Sequence, residues 1–118
     1  MIEKIRIGID IADVEQFIKI PYAKKPAFYE KIFLPSEIKY CLKFKNPYQH
    51  FAGKFAIKEA VKKSMNEQIS LLSIITSHIN SKPIVTLAKK SSRKHKFIVS
   101  VSHEKNFAVA VVISEQTS

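Results

Sequence analysis

Gln49-His50-Phe51-Ala52-Gly53-Lys54-Phe55-Ala56-Ile57-Lys58-Glu59-Ala60-Val61-Lys62-Lys63 is the stretch around which the chain organises itself. It reads as a helix. At about 100° per residue, Phe51, Ala52, Phe55, Ala56 and Ala60 fall on one apolar face. Glu59 lies in the middle of that face, and a carboxylate within an apolar stripe is costly unless a charge offsets it. Two partners are open to it. One is Lys63, a turn further on, in an i,i+4 pair; the other is a bound cation.

Upstream, Ile5, Ile7, Ile9 and Ile11 alternate with Arg6, Gly8, Asp10 and Ala12. This predicts a half-buried strand with its β-branched residues on one face and Asp10 on the other, at the strand's end. Asp13-Val14-Glu15-Gln16 has the form of a capping box, with Asp13 as N-cap of a short helix that runs to about Ile20 and stops at Pro21. Asp13 thus has a structural task and Asp10 has none. Pro26 can open a helix carrying Phe28, Tyr29, Ile32 and Phe33. Leu34-Pro35-Ser36-Glu37 then starts another, with Ser36 as N-cap and Ile38, Tyr40, Cys41, Leu42 and Phe44 within it. Asn46-Pro47 turns into the central helix, which ends near Asn66.

Downstream the pattern is β. Leu72 to Ile79 is strand-like, Asn80-Ser81-Lys82-Pro83 is a turn, and Pro83 begins the next strand. Ala88 to Lys96 is polar and basic and reads as a solvated loop, with a phosphate or nucleic-acid patch as the sharper alternative. Phe97 to Ser102 is a strand, His103-Glu104-Lys105-Asn106 a tight connection, and Phe107 to Ile113 a central strand covered on both faces. The tail from Ser114 is expected to fray. The fold class is α+β: helices packed on one side of an antiparallel β-sheet, in a single domain over residues 1–118.

The whole chain has 118 residues, of which 46% are apolar, enough for one core. Its apolar runs are too short to span a bilayer, and Met1-Ile2-Glu3-Lys4-Ile5-Arg6 does not read as a signal peptide. The lone Cys41 rules out a disulfide framework and a Cys-rich zinc site. These features favour a cytoplasmic protein. A net charge of +10 calls for an anionic partner. Lysine supplies eighteen of the twenty basic residues, and the shortage of Arg counts mildly against base-specific DNA readout. With only Gly8 and Gly53, the glycine-rich phosphate loops are excluded. Ser102 beside His103 lacks the nucleophile-elbow context of a hydrolase.

Asp10, Glu59 and His103 remain. Two hard oxygen ligands on rigid elements, with coordination positions to spare, describe a Mg²⁺ site that phosphate oxygens complete. Lys54, Lys58 and Lys63 on the same helix would neutralise further phosphate charge.

Four segments, in order, resemble holo-[acyl-carrier-protein] synthase, the short bacterial type of 4′-phosphopantetheinyl transferase. They are Gly8-Ile9-Asp10-Ile11, Phe51 to Ala60, Lys82-Pro83, and Val101-Ser102-His103-Glu104 with Phe107-Ala108-Val109-Ala110. The resemblance implies the family's α+β fold and its transfer of phosphopantetheine from coenzyme A to a serine of apo-acyl carrier protein, releasing 3′,5′-ADP in lipid biosynthesis. It implies that Asp10 and Glu59 hold Mg²⁺ and that Lys63 lies near the transferred phosphate. Lys82 and Pro83 would lie at the nucleotide end of coenzyme A, Ser102 and His103 at the substrate pocket, with Lys54 in the matching helix motif. Homotrimers with sites at subunit interfaces are implied as well. Two departures stand out: Asn66-Glu67-Gln68-Ile69-Ser70 replaces a glycine-containing loop, and Ser81 replaces the glycine before Lys-Pro. Lys19, Lys24 and Lys25 are the expected docking residues for the acidic carrier. The competing class is a basic, non-enzymatic RNA-binding module that uses the Lys89 to Lys96 loop; no exposed aromatic pair on the strands supports it.

Overall fold

The computed structural model describes residues 4–88 and 94–117. Met1 to Glu3, Lys89 to Arg93 and Ser118 lie outside the described residues, so the reading of the N-terminus and most of the basic loop fall there. Strand β1 (Ile5–Asp13) leads through short helices α1 (Val14–Ile18), α2 (Pro26–Glu30) and α3 (Pro35–Leu42) to the long helix α4 (Pro47–Ser64). A 3₁₀ turn (Leu71–Ser73) precedes β2 (Ile74–Ile79), β3 (Lys82–Leu87), β4 (Lys94–His103) and β5 (Phe107–Thr117). The strands form two antiparallel sheets, β1-β5-β4 and β2-β3. The α+β class is as expected, with helices against an antiparallel sheet. No helix among the described residues is long and apolar enough to cross a membrane.

Helix α4 is the spine. Pro47 occupies its first turn, where the missing N–H costs nothing. Phe51, Ala52, Ala56, Ala60 and Val61 are all buried. An aromatic cluster of Phe17, Tyr29, Phe33 and Phe51 packs beside it, each ring worth about 2–3 kcal/mol by burial. The Tyr29 hydroxyl donates to the Ile20 carbonyl at 2.6 Å, with the Phe17 carbonyl also in reach at 3.0 Å, so its polar atom is not stranded among the rings. Burial pushes the Cys41 thiol up to about 12, which leaves it a small inert hydrophobe.

Strand β1 is half-buried with the unexpected half inside. Gly8 and Ala12 face α4, whereas Ile5, Ile7, Ile9 and Ile11 face outward, 44–68% exposed. The reason is proximity. A Cβ on Gly8 would lie 2.0 Å from the carbonyl oxygen of Ala60, so only the smallest residues fit between strand and helix. Strand β5 is central in the sheet, but only Ala108, Ala110, Val112 and Ser114 are buried; Phe107 and Ile113 are exposed. Its outer face is therefore uncovered in the single chain, and β5 continues to Thr117 instead of fraying.

Several boundaries differ from the sequence reading. Asp13 caps α1 by accepting from the Glu15 N–H at 3.0 Å, yet that helix stops at Ile18. Leu34, not Ser36, is the N-cap of α3, because Pro35 takes the first helical position. The strand after the hairpin turn begins at Lys82. Asn80 and Ser81 both have positive φ, 51° and 69°, as a two-residue hairpin turn demands; Ser81 holds it at a steric cost that glycine would not bear.

Replacing Gly8 by Ala should force β1 off α4 and lower stability by about 3 kcal/mol, as overpacking against a rigid backbone does. Urea unfolding at matched protein concentration measures it.

Candidate functional site

Asp10 lies half-buried on the inner face of β1, at the surface edge where the strand crosses the C-terminal half of α4. The Lys63 ammonium donates to Asp10 Oδ1 and to the Ile9 carbonyl, both at 3.0 Å. Glu59, one turn before Lys63, is half-buried on the same helix, and its nearest basic contact is Lys62 at 3.9 Å. The i,i+4 pairing of Glu59 with Lys63 therefore gives way to a tie between strand and helix. Asp10 and Lys63, delivered by two elements that meet at Gly8, make up the first cluster, and Glu59 lies one helical turn before Lys63.

His103 does not join it. It ends β4 on the inner face, opposite Ala108, with its ring against Gly53: a Cβ there would meet His103 Nε2 at 2.7 Å. Gly53 lies about 9 Å along the helix from Glu59 and on a different face. Asp10 and His103 sit on the two edge strands of a three-stranded sheet; Asp10 lies opposite Ala110 and His103 opposite Ala108, so the two backbones are about 12 Å apart across β5. Ser102 alternates to the outer face and is exposed. Lys82 and Pro83 open β3, which runs beside β4. Lys19, Lys24 and Lys25 are exposed at and after the end of α1.

Around His103 is a second cluster that no motif announced. The His50 ring stacks on Phe44 at 3.7 Å and lies 6.1 Å from His103. Tyr40 stacks on His78 at 4.5 Å, with Phe44 edge-on and the ammonium groups of Lys54 and Lys43 over its face. Burial first, then His103 and Lys54, hold the His50 imidazole below its ordinary range. His78 is lowered likewise by burial, then by Lys54, His50 and Lys43.

Two of the lysines expected to face phosphate face inward. Lys58 is 0% exposed and donates to Glu37 Oε1 at 2.6 Å and to the carbonyls of Ile32 and Leu71. Lys54 is 4% exposed and donates to Thr76 Oγ1 at 3.0 Å. Burial lowers both ammonium groups, with Glu37 opposing the shift. The signal was present in the spacing: Lys54 and Lys58 fall three and seven residues after Phe51, in step with the core stripe.

Among the described residues no group of three or more His, Cys, Asp and Glu side chains could hold a metal. The donor set at Asp10 and Glu59 nevertheless fits Mg²⁺, which takes one or two carboxylates and draws its other oxygens from water and substrate.

The profile of the 4′-phosphopantetheinyl transferase superfamily matches residues 6–112. A holo-[acyl-carrier-protein] synthase from Thermodesulfovibrio yellowstonii is 37% identical over 110 residues, 91% of this chain and 95% of that protein. Two crystal structures are similar in fold. One is a holo-(acyl-carrier-protein) synthase from Bacillus anthracis in complex with CoA (3′,5′-ADP): TM-score 0.80, 30% identity, 95% of this chain and 96% of that one. The other, from Helicobacter pylori in complex with coenzyme A, has TM-score 0.77 and 34% identity over 92% of this chain and 99% of that one. The chain belongs to the 4′-phosphopantetheinyl transferase superfamily and, within it, to the holo-[acyl-carrier-protein] synthases. It is an enzyme.

Gly53→Ala should separate stability from activity. Alanine favours the helix by up to about 1 kcal/mol, while its methyl group displaces the His103 ring and should slow turnover; thermal melting and initial rates read the two effects. Acid sensitivity should follow the histidines. Because His50 and His78 resist protonation when folded, the unfolded chain takes up protons first as pH falls through about 6.5, so stability is lost on acidification through that window. Phe at position 50 should flatten the fall in melting temperature between about pH 7 and about pH 5.5.

Proposed function

We propose that this chain moves the 4′-phosphopantetheine group of coenzyme A onto a serine hydroxyl of apo-acyl carrier protein and releases 3′,5′-ADP, with Mg²⁺ required. The observation that supports this reading is the contact of the Lys63 ammonium with Asp10 at the seam of β1 and α4, with Glu59 one turn before Lys63 on the same helix. Asp10 and Glu59 would hold the ion, which when bound supplies charge neutralisation at the pyrophosphate. Lys63 is already poised on Asp10 and can turn to the phosphate that departs. The proton of the incoming serine goes to Glu59, half-buried with one weak basic contact, or to a water molecule beside it. Transfer in this reading is direct, from coenzyme A to the serine oxygen without a covalent enzyme intermediate.

His103, Ser102, Lys82 and Pro83 make the other part of the site, on the β4 side. Lys54, being buried, contributes through the wall that carries Tyr40 and not by touching phosphate. The two parts stand on the two edge strands of the sheet within one chain, and association of copies would bring one copy's β4 side to another's Asp10 and Glu59. The uncovered sheet face with Ile5, Ile7, Ile9, Ile11, Ile98 and Ile113 exposed supports such an assembly, for which a homotrimer is our reading. Lys19, Lys24 and Lys25 would meet the acidic carrier.

Intact mass of an apo-acyl carrier protein after incubation with this chain, coenzyme A and Mg²⁺ should rise by one phosphopantetheine, and EDTA should prevent it. Asp10→Ala and Glu59→Ala should each lower the rate at least about a hundredfold while the fold persists. No mass shift with any carrier, no coenzyme A binding and a salt-sensitive RNA gel shift would favour the RNA-binding reading instead.

A further inference from the structure

The seam between α4 and the sheet is built from small residues on both sides, Ala56 and Ala60 on the helix and Gly8, Ala12 and Ala110 on the strands. Such a seam allows close approach but has few knobs to resist rotation or sliding of the helix. Position must be set elsewhere, because Glu59 is useful only where it faces Asp10.

The buried polar network supplies that setting. Glu37 is 1% exposed and all of its acceptor capacity is used. Oε1 takes Lys58 Nζ at 2.6 Å and the Leu34 N–H at 2.8 Å; Oε2 takes the Thr76 N–H at 2.8 Å and Thr76 Oγ1 at 2.6 Å. Lys58 gives its remaining donors to the carbonyls of Ile32 and Leu71. The start of α3, the loop after α2 and the 3₁₀ turn therefore hold one ammonium group directly, β2 braces it through Glu37, and that group belongs to the residue next to Glu59. A rotation of α4 that moved Glu59 away from β1 would tear Lys58 out of this cage by the same angle.

We propose that Glu37 and Lys58 are positioning residues: their buried pair sets the rotation and axial register of α4 and so holds Glu59 against Asp10 for metal binding and transfer. This rests on the reading of Asp10 and Glu59 given above. An ion pair in a core is often no more stabilising than apolar residues of similar size, whereas fixing a register is its best-attested use.

The test separates register from stability. Glu37→Met alone strands a buried ammonium and should unfold more readily. Glu37→Met combined with Lys58→Met removes both charges but leaves the Leu34 and Thr76 N–H groups and the Ile32 and Leu71 carbonyls without these partners, so it should melt above the single variant and below the parent, and is compared with the parent well below its own melting temperature. In that double variant, metal free, amide hydrogen exchange over residues 59–63 should be faster than in the parent. Mn²⁺ affinity by electron paramagnetic resonance and kcat should both fall about tenfold or more, as loss of outer-shell support does, with KM for coenzyme A little changed. Parent-like exchange over 59–63 in a stably folded double variant would overturn the proposal, as would parent-like Mn²⁺ affinity. Should the parent itself bind no Mn²⁺, the site reading fails, and the exchange measurement still decides whether the pair sets the helix.

Discussion

Strand β1 rests on α4 at a distance set by backbone atoms. The Ala60 carbonyl occupies the space where a side chain at position 8 would begin. Much follows from that approach. Residues on the inner face of β1 must be small or must project past the helix, so the bulky isoleucines have only the outer face available. The same closeness brings the Ile9 carbonyl and the Asp10 carboxylate within reach of Lys63. Chemistry and packing on this strand are consequences of one contact, on its two sides.

The interior of the molecule is unusually charged for its size. Lys54, Lys58, Glu37 and Thr76 form a continuous buried network in which every side-chain polar atom has a partner among the described residues. A half-satisfied network would be worse than an apolar core. A complete one specifies a single arrangement of the elements it joins, here α3, α4 and β2. The strong positive charge of the chain thus has two parts: a surface share that faces partners and a small internal share that faces the fold.

How much of this was legible in the sequence can be argued residue by residue. The strand and helix types were, because periods of two and of 3.6 are local properties. Asp13 as a cap and Pro26 as a helix start were, for the same reason. Which side of β1 lies inside was not, since alternation names two faces without ranking them, and the deciding fact is a glycine opposite a helix 52 residues away in the chain. Lys54 and Lys58 were misassigned to phosphate because charge outweighed their place in the core stripe. Asp10, Glu59 and His103 stood out in the sequence as one candidate donor set, and the family resemblance narrowed it to Asp10 with Glu59. The separation of His103 from both came only with strand order, which places β5 between the two edges.

The buried lysines give this chain a built-in chemical clock. Amine-acylating reagents attack the neutral, exposed amine, and eighteen lysines offer them a crowded target. Lys58, sealed within the protein and hydrogen-bonded on every side, can be labelled only when α4 leaves its cage. Lys19, Lys24 and Lys25 sit in open solvent and label in the native state. Peptide mapping of a partly acylated sample would therefore record surface access in one set of sites and global opening in another, on the same molecule and in the same reaction.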